Sequence, residues 1–169
     1  MLRKSLYGVL TASLLVLGAQ GAEAQLRFNV NAGASMPMSD AGDAFNAGLR
    51  VGAGIEFGVP LVPVSLRVDG AYDRLGVKLD GSPNLSIISG SANGVFTMPL
   101  MPIYAVGGVG MYRSDAGDGA TTTDIGFNIG MGLRLPLPMF APFVEARFHQ
   151  INAEGGNFRY VPIVAGIRF

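Results

Sequence analysis

The chain has 169 residues, 12 basic and 12 acidic side chains, 25 glycines and no cysteine. A chain of this length supports one domain, and without a clustered basic surface it gives no support for nucleic-acid binding. The missing cysteines exclude disulfides and a cysteine-linked lipid anchor, and the glycine content argues against long helices.

The first 24 residues have the organisation of a secretory signal peptide. Arg3 and Lys4 precede a mostly apolar segment at 6–17, and an A-x-A cleavage motif follows at 22–24. The alternative, a membrane-anchoring helix, needs roughly 20 apolar residues, and this segment is shorter. We therefore predict a signal peptide at 1–24 and one mature domain at 25–169. Cleavage leaves 10 basic and 11 acidic residues, a net charge of about −1.

Apolar and polar residues alternate in several stretches of the mature chain, as expected for β-strands. The clearest stretch is 123–135, where the odd positions from 125 onward are Ile, Phe, Met or Leu and the even positions are polar or Gly. One face of such a strand is apolar and the other polar or small. No apolar run of 18 residues, the length that indicates a membrane-spanning helix, follows the signal segment.

Three short proline-containing connections alternate with four longer segments rich in Gly, Asp, Ser and Asn. The longer segments cover 36–46, 73–84, 113–122 and 152–159. Seven connections imply eight strands, and short turns on one side with long loops on the other are typical of outer-membrane barrels. We predict strands at 26–34, 47–57, 62–72, 86–98, 103–112, 123–135, 142–151 and 160–169. The predicted fold is all-β, an eight-stranded antiparallel up-and-down transmembrane β-barrel with both termini on the periplasmic side.

The apolar parity is expected to face lipid. The outward residues that we predict are Leu26, Phe28, Val30, Leu49, Val51, Ala53, Ile55, Phe57, Val64, Leu66, Val68, Tyr72, Val144, Ala146 and Phe148. Because the chain has no Trp, we expect the aromatic girdles to use Tyr72, Tyr104, Tyr112, Tyr160, Phe57 and Phe140.

The opposite parity places twelve ionisable residues in the lumen. They are Arg27, Arg50, Glu56, Arg67, Asp69, Asp73, Asp124, Arg134, Glu145, Arg147, His149 and Arg168. An eight-stranded barrel holds little besides its own side chains, so we interpret these residues as a network of ion pairs, with a binding or catalytic cluster as the alternative. A tight turn at 58–61 would place Arg50 opposite Asp69.

Two C-terminal segments resemble a known family. Residues 160–169 (YVPIVAGIRF) resemble the final strand by which outer-membrane barrels are recognised for assembly, and 142–149 (PFVEARFH) resembles the seventh strand of the small outer membrane protein beta-barrel domain family, akin to opacity-type and X-type proteins. The resemblance covers 25–169 and implies that Ile167 and Phe169 form the signal read by the outer-membrane assembly machinery. Pro162, inside the last strand, departs from the family pattern. The family is functionally mixed and therefore implies fold and location rather than task.

His149, the only histidine, is the one candidate for catalysis. The resemblance raises that possibility because some small outer-membrane barrels modify lipid A, and the deacylase type pairs His with Ser and a carboxylate. Here Glu145 shares the lumen parity of His149, but position 151 is Ile rather than Ser. We interpret His149 as an interior side chain and predict no enzyme activity.

The sequence SDAGD occurs at 39–43 and again at 114–118. Its two acids could offer oxygen ligands to Ca²⁺, but each copy lacks the further ligands that calcium needs. Two similar turns, or a trace of hairpin duplication, explain the repeat equally well. We predict no metal site and no cofactor.

Together these features predict a monomeric, non-enzymatic protein of the cell outer membrane, in contact with outer-membrane lipid. Its role would be envelope integrity, or surface interaction through the four outer loops with a ligand that the sequence does not identify. The alternatives are a transport barrel for small apolar molecules and, less favoured, a lipid A-modifying enzyme.

Overall fold

A computed structural model describes residues 25–38, 42, 45–58, 62–78, 84–117, 121–153 and 156–169. It contains eight strands: β1 (Gln25–Met38), β2 (Phe45–Gly58), β3 (Val64–Val77), β4 (Leu85–Thr97), β5 (Ile103–Asp115), β6 (Thr121–Arg134), β7 (Ala141–Ala153) and β8 (Gly156–Arg168). Neighbours in the chain pair antiparallel, and β1 pairs with β8 to close a barrel. The predicted fold class and strand number are confirmed. The predicted signal peptide and the first SDAGD segment, apart from Gly42, lie outside the described residues.

The strands are 13 or 14 residues long, more than the ~9–11 that cross a bilayer. The extra length lies mostly at the long-loop end: β1 continues to Met38 and β8 begins at Gly156, and Met38 pairs with Arg159. The sequence prediction ended these strands where the apolar pattern ends, whereas backbone pairing continues beyond the apolar belt. No helix among the described residues is long and apolar enough to span a membrane.

The outer surface is a continuous apolar belt. Large apolar side chains of all eight strands are exposed, including Leu49 at 75% and Leu66 at 67%. An exposed apolar surface of this extent is incompatible with water and suits a lipid environment. The predicted outward parity is correct for the large apolar residues of β1, β2 and β3.

Three of the predicted girdle tyrosines point the other way. Tyr104, Tyr112 and Tyr160 are fully buried inside the barrel, whereas Tyr72 is 40% exposed. The assignment of Tyr104 and Tyr112 to a girdle was wrong because β5 is apolar on both parities, so alternation alone could not orient it. The phenolic hydroxyls of both residues find polar partners in the lumen, at Glu145 and His149 respectively.

The predicted pairing of Arg50 with Asp69 is also wrong. Arg50 lies opposite Asp73, and Asp69 lies opposite Gly54, because Gly58 pairs with Ser65 and the β2–β3 connection is therefore longer than a tight turn. The observed pairing of β2 with β3 differs from the predicted pairing by four residues. Because four is an even number, every side chain stays on its predicted face of the sheet. Arg50 and Asp69 both remain in the lumen.

Glycines in the barrel wall make room for inward aromatic rings. Gly132 lies opposite Tyr104, and a Cβ atom at Gly132 would collide with the Tyr104 ring. Gly166 accommodates Phe143 in the same way. Gly90 faces outward, and a Cβ atom there would have no neighbour within 4 Å.

Valine substitutions at Gly132 and at Gly90 compare a glycine that packs against an aromatic ring with a glycine that faces outward. We expect Gly132→Val to lower the free energy of unfolding by about 1–3 kcal/mol through overpacking against Tyr104. Gly90→Val should leave it unchanged or raise it, because valine favours strands and lipid contact. Urea unfolding in micelles measures both, and equal midpoints would contradict the tight Tyr104–Gly132 contact.

Candidate functional site

The candidate site is the lumen, which the described side chains fill in three layers. At the long-loop end lies an apolar cluster of Leu75, Leu85, Ile87, Tyr112, Ile151 and Tyr160, with Phe45 and Phe158 packed against it. Ion pairs occupy the middle. At the short-turn end, Glu56 and several arginines lie beside Tyr104 and Val95.

Arg50 and Asp73 form an ion pair directly below the apolar cluster. Their Nη1 and Oδ2 atoms are 2.6 Å apart, and the Asp73 side chain is fully buried. The Ser35 hydroxyl donates a hydrogen bond to the other oxygen of Asp73. This pairing follows from the β2–β3 register described above.

Four charges form the central layer. Arg67 Nη2 lies 2.8 Å from Glu145 Oε2, and Arg67 Nε lies 3.0 Å from Asp69 Oδ2. Arg147 contacts the same two carboxylates, with 3.2 Å from its Nη1 to Asp69 Oδ2. Two guanidinium groups thus share two carboxylates, the arrangement that the planar donor geometry of arginine favours.

Neutral side chains complete the central layer. The Asn93 amide donates to Asp69 Oδ2 at 2.8 Å, Asn128 donates to Asn93 at 2.9 Å, and the Tyr104 hydroxyl donates to Glu145 Oε2 at 2.7 Å. The sequence analysis missed Asn93, Asn128 and Tyr104, together with Ser35. Inward parity within β4, β6 and β1 was the available signal for Asn93, Asn128 and Ser35, whereas β5 gave no such signal for Tyr104.

Glu56 organises the layer at the short-turn end. Arg134 Nη2 lies 3.0 Å from Glu56 Oε2, while Arg168 Nη1 lies 3.0 Å and the Ser65 hydroxyl 3.1 Å from Oε1. The Arg134 guanidinium also lies over the Tyr104 ring, 4.4 Å from its centroid, a favourable cation–π geometry. Arg27 lies at the same end with intermediate burial.

His149 belongs to the aromatic end of the lumen rather than to the ion pairs. Its Nδ1 lies 2.9 Å from the Tyr112 hydroxyl, and its ring stacks on Tyr160 with a centroid distance of 4.9 Å. Asp124, which lies opposite Tyr112, is half-buried and makes none of the ion pairs found among the described residues. Within the described part of the chain, nine of the twelve predicted lumen residues thus meet in seven ion pairs, and His149 and Asp124 lie outside those pairs. Arg27, the twelfth, lies at the short-turn end.

Among the described residues, the surroundings of His149 do not match the His–Ser–carboxylate arrangement considered in the sequence analysis. His149 is 1% exposed, and the described hydroxyl within hydrogen-bond distance of its ring is that of Tyr112 rather than of a serine. Within the described ranges, no three His, Asp or Glu side chains are grouped as a metal would require.

The described residues line two cavities of interest in the lumen. One of about 20 Å³ lies beside Arg50, Asp69 and Arg147, enough for about one water molecule. The other, about 890 Å³, opens at the short-turn end and reaches inward as far as Glu56 and Tyr104. We call it the mouth cavity; it is lined by Arg27, Glu56, Gly58, Val62, Pro63, Val64, Ser65, Thr97, Met98, Pro99, Leu100, Met101, Pro102, Ile103, Tyr104, Arg134, Pro136 and Arg168.

A closed eight-stranded barrel with an apolar exterior and a charged, filled interior has the fold of the small outer-membrane β-barrels. Among solved structures the chain is similar to Neisserial surface protein A, with a TM-score of 0.72, 16% identity and coverage of 88% of this chain and 98% of that one. It is also similar to Ail, the attachment invasion locus protein of Yersinia pestis (TM-score 0.57, 15% identity, coverage 87% and 99%). A third is the N-terminal β-barrel domain of Pseudomonas aeruginosa OprF (TM-score 0.51, 14% identity, coverage 87% and 100%). No family model and no curated protein sequence matches the chain.

Proposed function

We propose that this protein is a non-enzymatic, monomeric component of the outer membrane that acts in envelope integrity or in surface interaction through its four outer loops. Residues 1–24 would direct export and be removed. Ile167 and Phe169 would then be read by the assembly machinery; both side chains face outward, and Phe169 stacks on Phe28 of β1 with a centroid distance of 6.3 Å.

The observation that carries this proposal is the filled lumen inside an apolar exterior. The apolar exterior supports contact with membrane lipid. Inside, ion pairs between strands far apart in sequence, such as Arg67 with Glu145, neutralise the charges. An interior used for cohesion leaves the loops as the surface available to other molecules. We interpret the predicted lumen residues as a structural network.

The loop charges narrow the class of surface ligand. Without Asp73, which lies in the lumen, the predicted loop segments 36–46, 73–84, 113–122 and 152–159 carry six acidic and four basic residues. One structure of Ail, with a TM-score of 0.53 and 18% identity to this chain, contains the heparin analogue sucrose octasulfate. A net negative set of loops disfavours such a polyanion here, so we propose an uncharged or cationic surface partner.

The alternative of a transport barrel for small apolar molecules finds less support. Passage through the lumen would have to cross both the apolar cluster and the central ion pairs. A lateral opening would require unpaired neighbouring strands, whereas every neighbouring pair from β1–β2 to β8–β1 is hydrogen bonded. The β7–β8 pairing is interrupted after Ala146 and Ile163, next to Pro162, which has no N–H group. It resumes at His149 and Tyr160.

Expression in a Gram-negative host tests the membrane assignment. We expect the processed protein, beginning near Gln25, in the outer-membrane fraction. In unboiled electrophoresis samples it should migrate faster than after boiling, because a closed barrel resists detergent unfolding. Full solubility without detergent, or a helical circular dichroism spectrum in micelles, would refute the assignment.

A further inference from the structure

The three short connections are unusual in composition for turns that face water. Residues 59–64, 98–103 and 135–143 include no charged or polar side chain, and each segment contains Pro-Leu. Exposed turns commonly use Gly and Pro for their backbone conformation, and Asn, Asp and Ser for side-chain hydrogen bonds to the backbone. These connections contain Pro but none of the polar types. The described parts of these connections, 62–64, 98–103 and 135–143, therefore form an apolar rim at the short-turn end of the barrel.

Leu100, at one point of this rim, adopts a costly backbone conformation. Its φ angle is +66°, and its side chain is completely exposed. Left-handed backbone is unfavourable for a bulky residue and is adopted readily by Gly and Asn. Nearby Met101 and Met139 are 57% and 87% exposed. Packing within the barrel does not account for these side chains, and clustered exposed apolar groups indicate a binding surface.

Among the described side chains at the mouth, arginine outnumbers the carboxylates that it contacts. Arg134 and Arg168 share one carboxylate, Glu56. In the central layer, by contrast, two arginines face two carboxylates, and Arg50 and Asp73 pair one to one. The excess arginine of the lumen is therefore concentrated at the mouth.

The hydrogen-bond donors at the mouth also outnumber the acceptors that Glu56 supplies. Both Glu56 oxygens are already engaged by Arg134, Arg168 and Ser65. Each guanidinium has five donors, and Arg134 Nε is buried with no hydrogen-bond partner among the described residues. An anion at the mouth would satisfy donors that Glu56 cannot reach.

We propose that the mouth cavity binds a single-chain anionic amphiphile. Its carboxylate or phosphate head lies on Arg134 and Arg168, and its hydrocarbon chain lies against the apolar rim at Val62, Leu100 and Met101. The volume of about 890 Å³ is within the range of small-molecule pockets. The pocket is blind, because Tyr104 and the central ion pairs close its inner end. This site lies at the opposite end of the barrel from the outer loops and is independent of their role.

A fluorescence titration tests this proposal on the mature barrel in phosphatidylcholine nanodiscs. Because the sequence has no cysteine, Met139→Cys gives a single attachment point on the rim for an environment-sensitive dye, and Asp115→Cys gives a matched label at the long-loop end. The probes are decyl phosphate, decanoate, decyl maltoside and inorganic phosphate. Decyl phosphate or decanoate should give a saturable response at the rim label and none at the long-loop label, and the stronger of the two identifies the head group.

Two variants assign the response to the site. Arg168→Gln should weaken binding of the anionic amphiphile at least tenfold by removing a charged partner of its head. Leu100→Asn should weaken it severalfold without affecting inorganic phosphate. Asparagine tolerates the left-handed conformation, so this variant should fold even if Arg168→Gln does not, and the boiling shift verifies folding of each.

Three results would overturn the proposal. Equal responses to decyl phosphate and decyl maltoside would mean partition into the bilayer. Inorganic phosphate binding as tightly as the amphiphiles would mean a simple anion site without a role for the rim. Responses unchanged in the folded variants would place binding elsewhere.

Discussion

Replacing Glu145 with alanine is expected to lower the free energy of unfolding of the barrel by about 3–5 kcal/mol. Glu145 receives Arg67, Arg147 and the Tyr104 hydroxyl, and it is 4% exposed. Its removal leaves two guanidinium groups sharing Asp69 in a space with room for about one water molecule. Most of the destabilisation comes from the buried positive charge that is left without a carboxylate partner, and less of it from the loss of the hydrogen bonds to Glu145.

Asp115→Ala is the matched control for this variant. Asp115 is an exposed carboxylate at the long-loop end, where its Oδ1 accepts a hydrogen bond from the Gly117 backbone at 2.8 Å. We expect a change within about 0.5 kcal/mol, as for most surface substitutions. Urea or guanidinium titration of refolded protein in micelles compares the two. Coincident midpoints would mean that water reaches the central layer and screens its charges.

Alternation and turn spacing predicted the barrel when they were combined with the predicted signal segment and a final strand that ends in Phe169. Each strand of a closed antiparallel barrel has one lipid face and one lumen face, so the period of two is repeated eight times, and prolines divide the repeats. Alternation failed where a strand is apolar on both faces. In β5, Tyr104 and Tyr112 fill the lumen beside glycines of β6. The space for these two rings becomes evident only when it is known which residues of β6 lie next to them.

The partners of the charges could not be read from the sequence. Parity placed Arg67 and Glu145 inside, but their contact joins residues 78 positions apart across a closed barrel. It depends on side-chain length and on the tilt of strands that are not neighbours. The Arg50–Asp73 pair depends on the length of one connection, and an assumed tight turn gave the wrong carboxylate. The unequal distribution of charge, with surplus arginine at the mouth, follows from these same three-dimensional details.

The lumen geometry also predicts that the pure protein in planar bilayers gives no stable, porin-like conductance. Eight strands leave little space once side chains are placed, and here two barriers lie in series. An ion would have to pass the apolar cluster around Tyr160 and then displace paired groups between Arg147 and Asp69.

Because the barriers are in series, removing one should leave the other closed. We expect Tyr160→Ala, which opens the apolar cluster, to remain without conductance while the central ion pairs persist. Steady nanosiemens-scale steps in the unmodified protein would refute the filled lumen and favour the transport alternative. Steps that appear in Tyr160→Ala alone would instead show that the apolar cluster is the effective seal and that ions can traverse the charged layer.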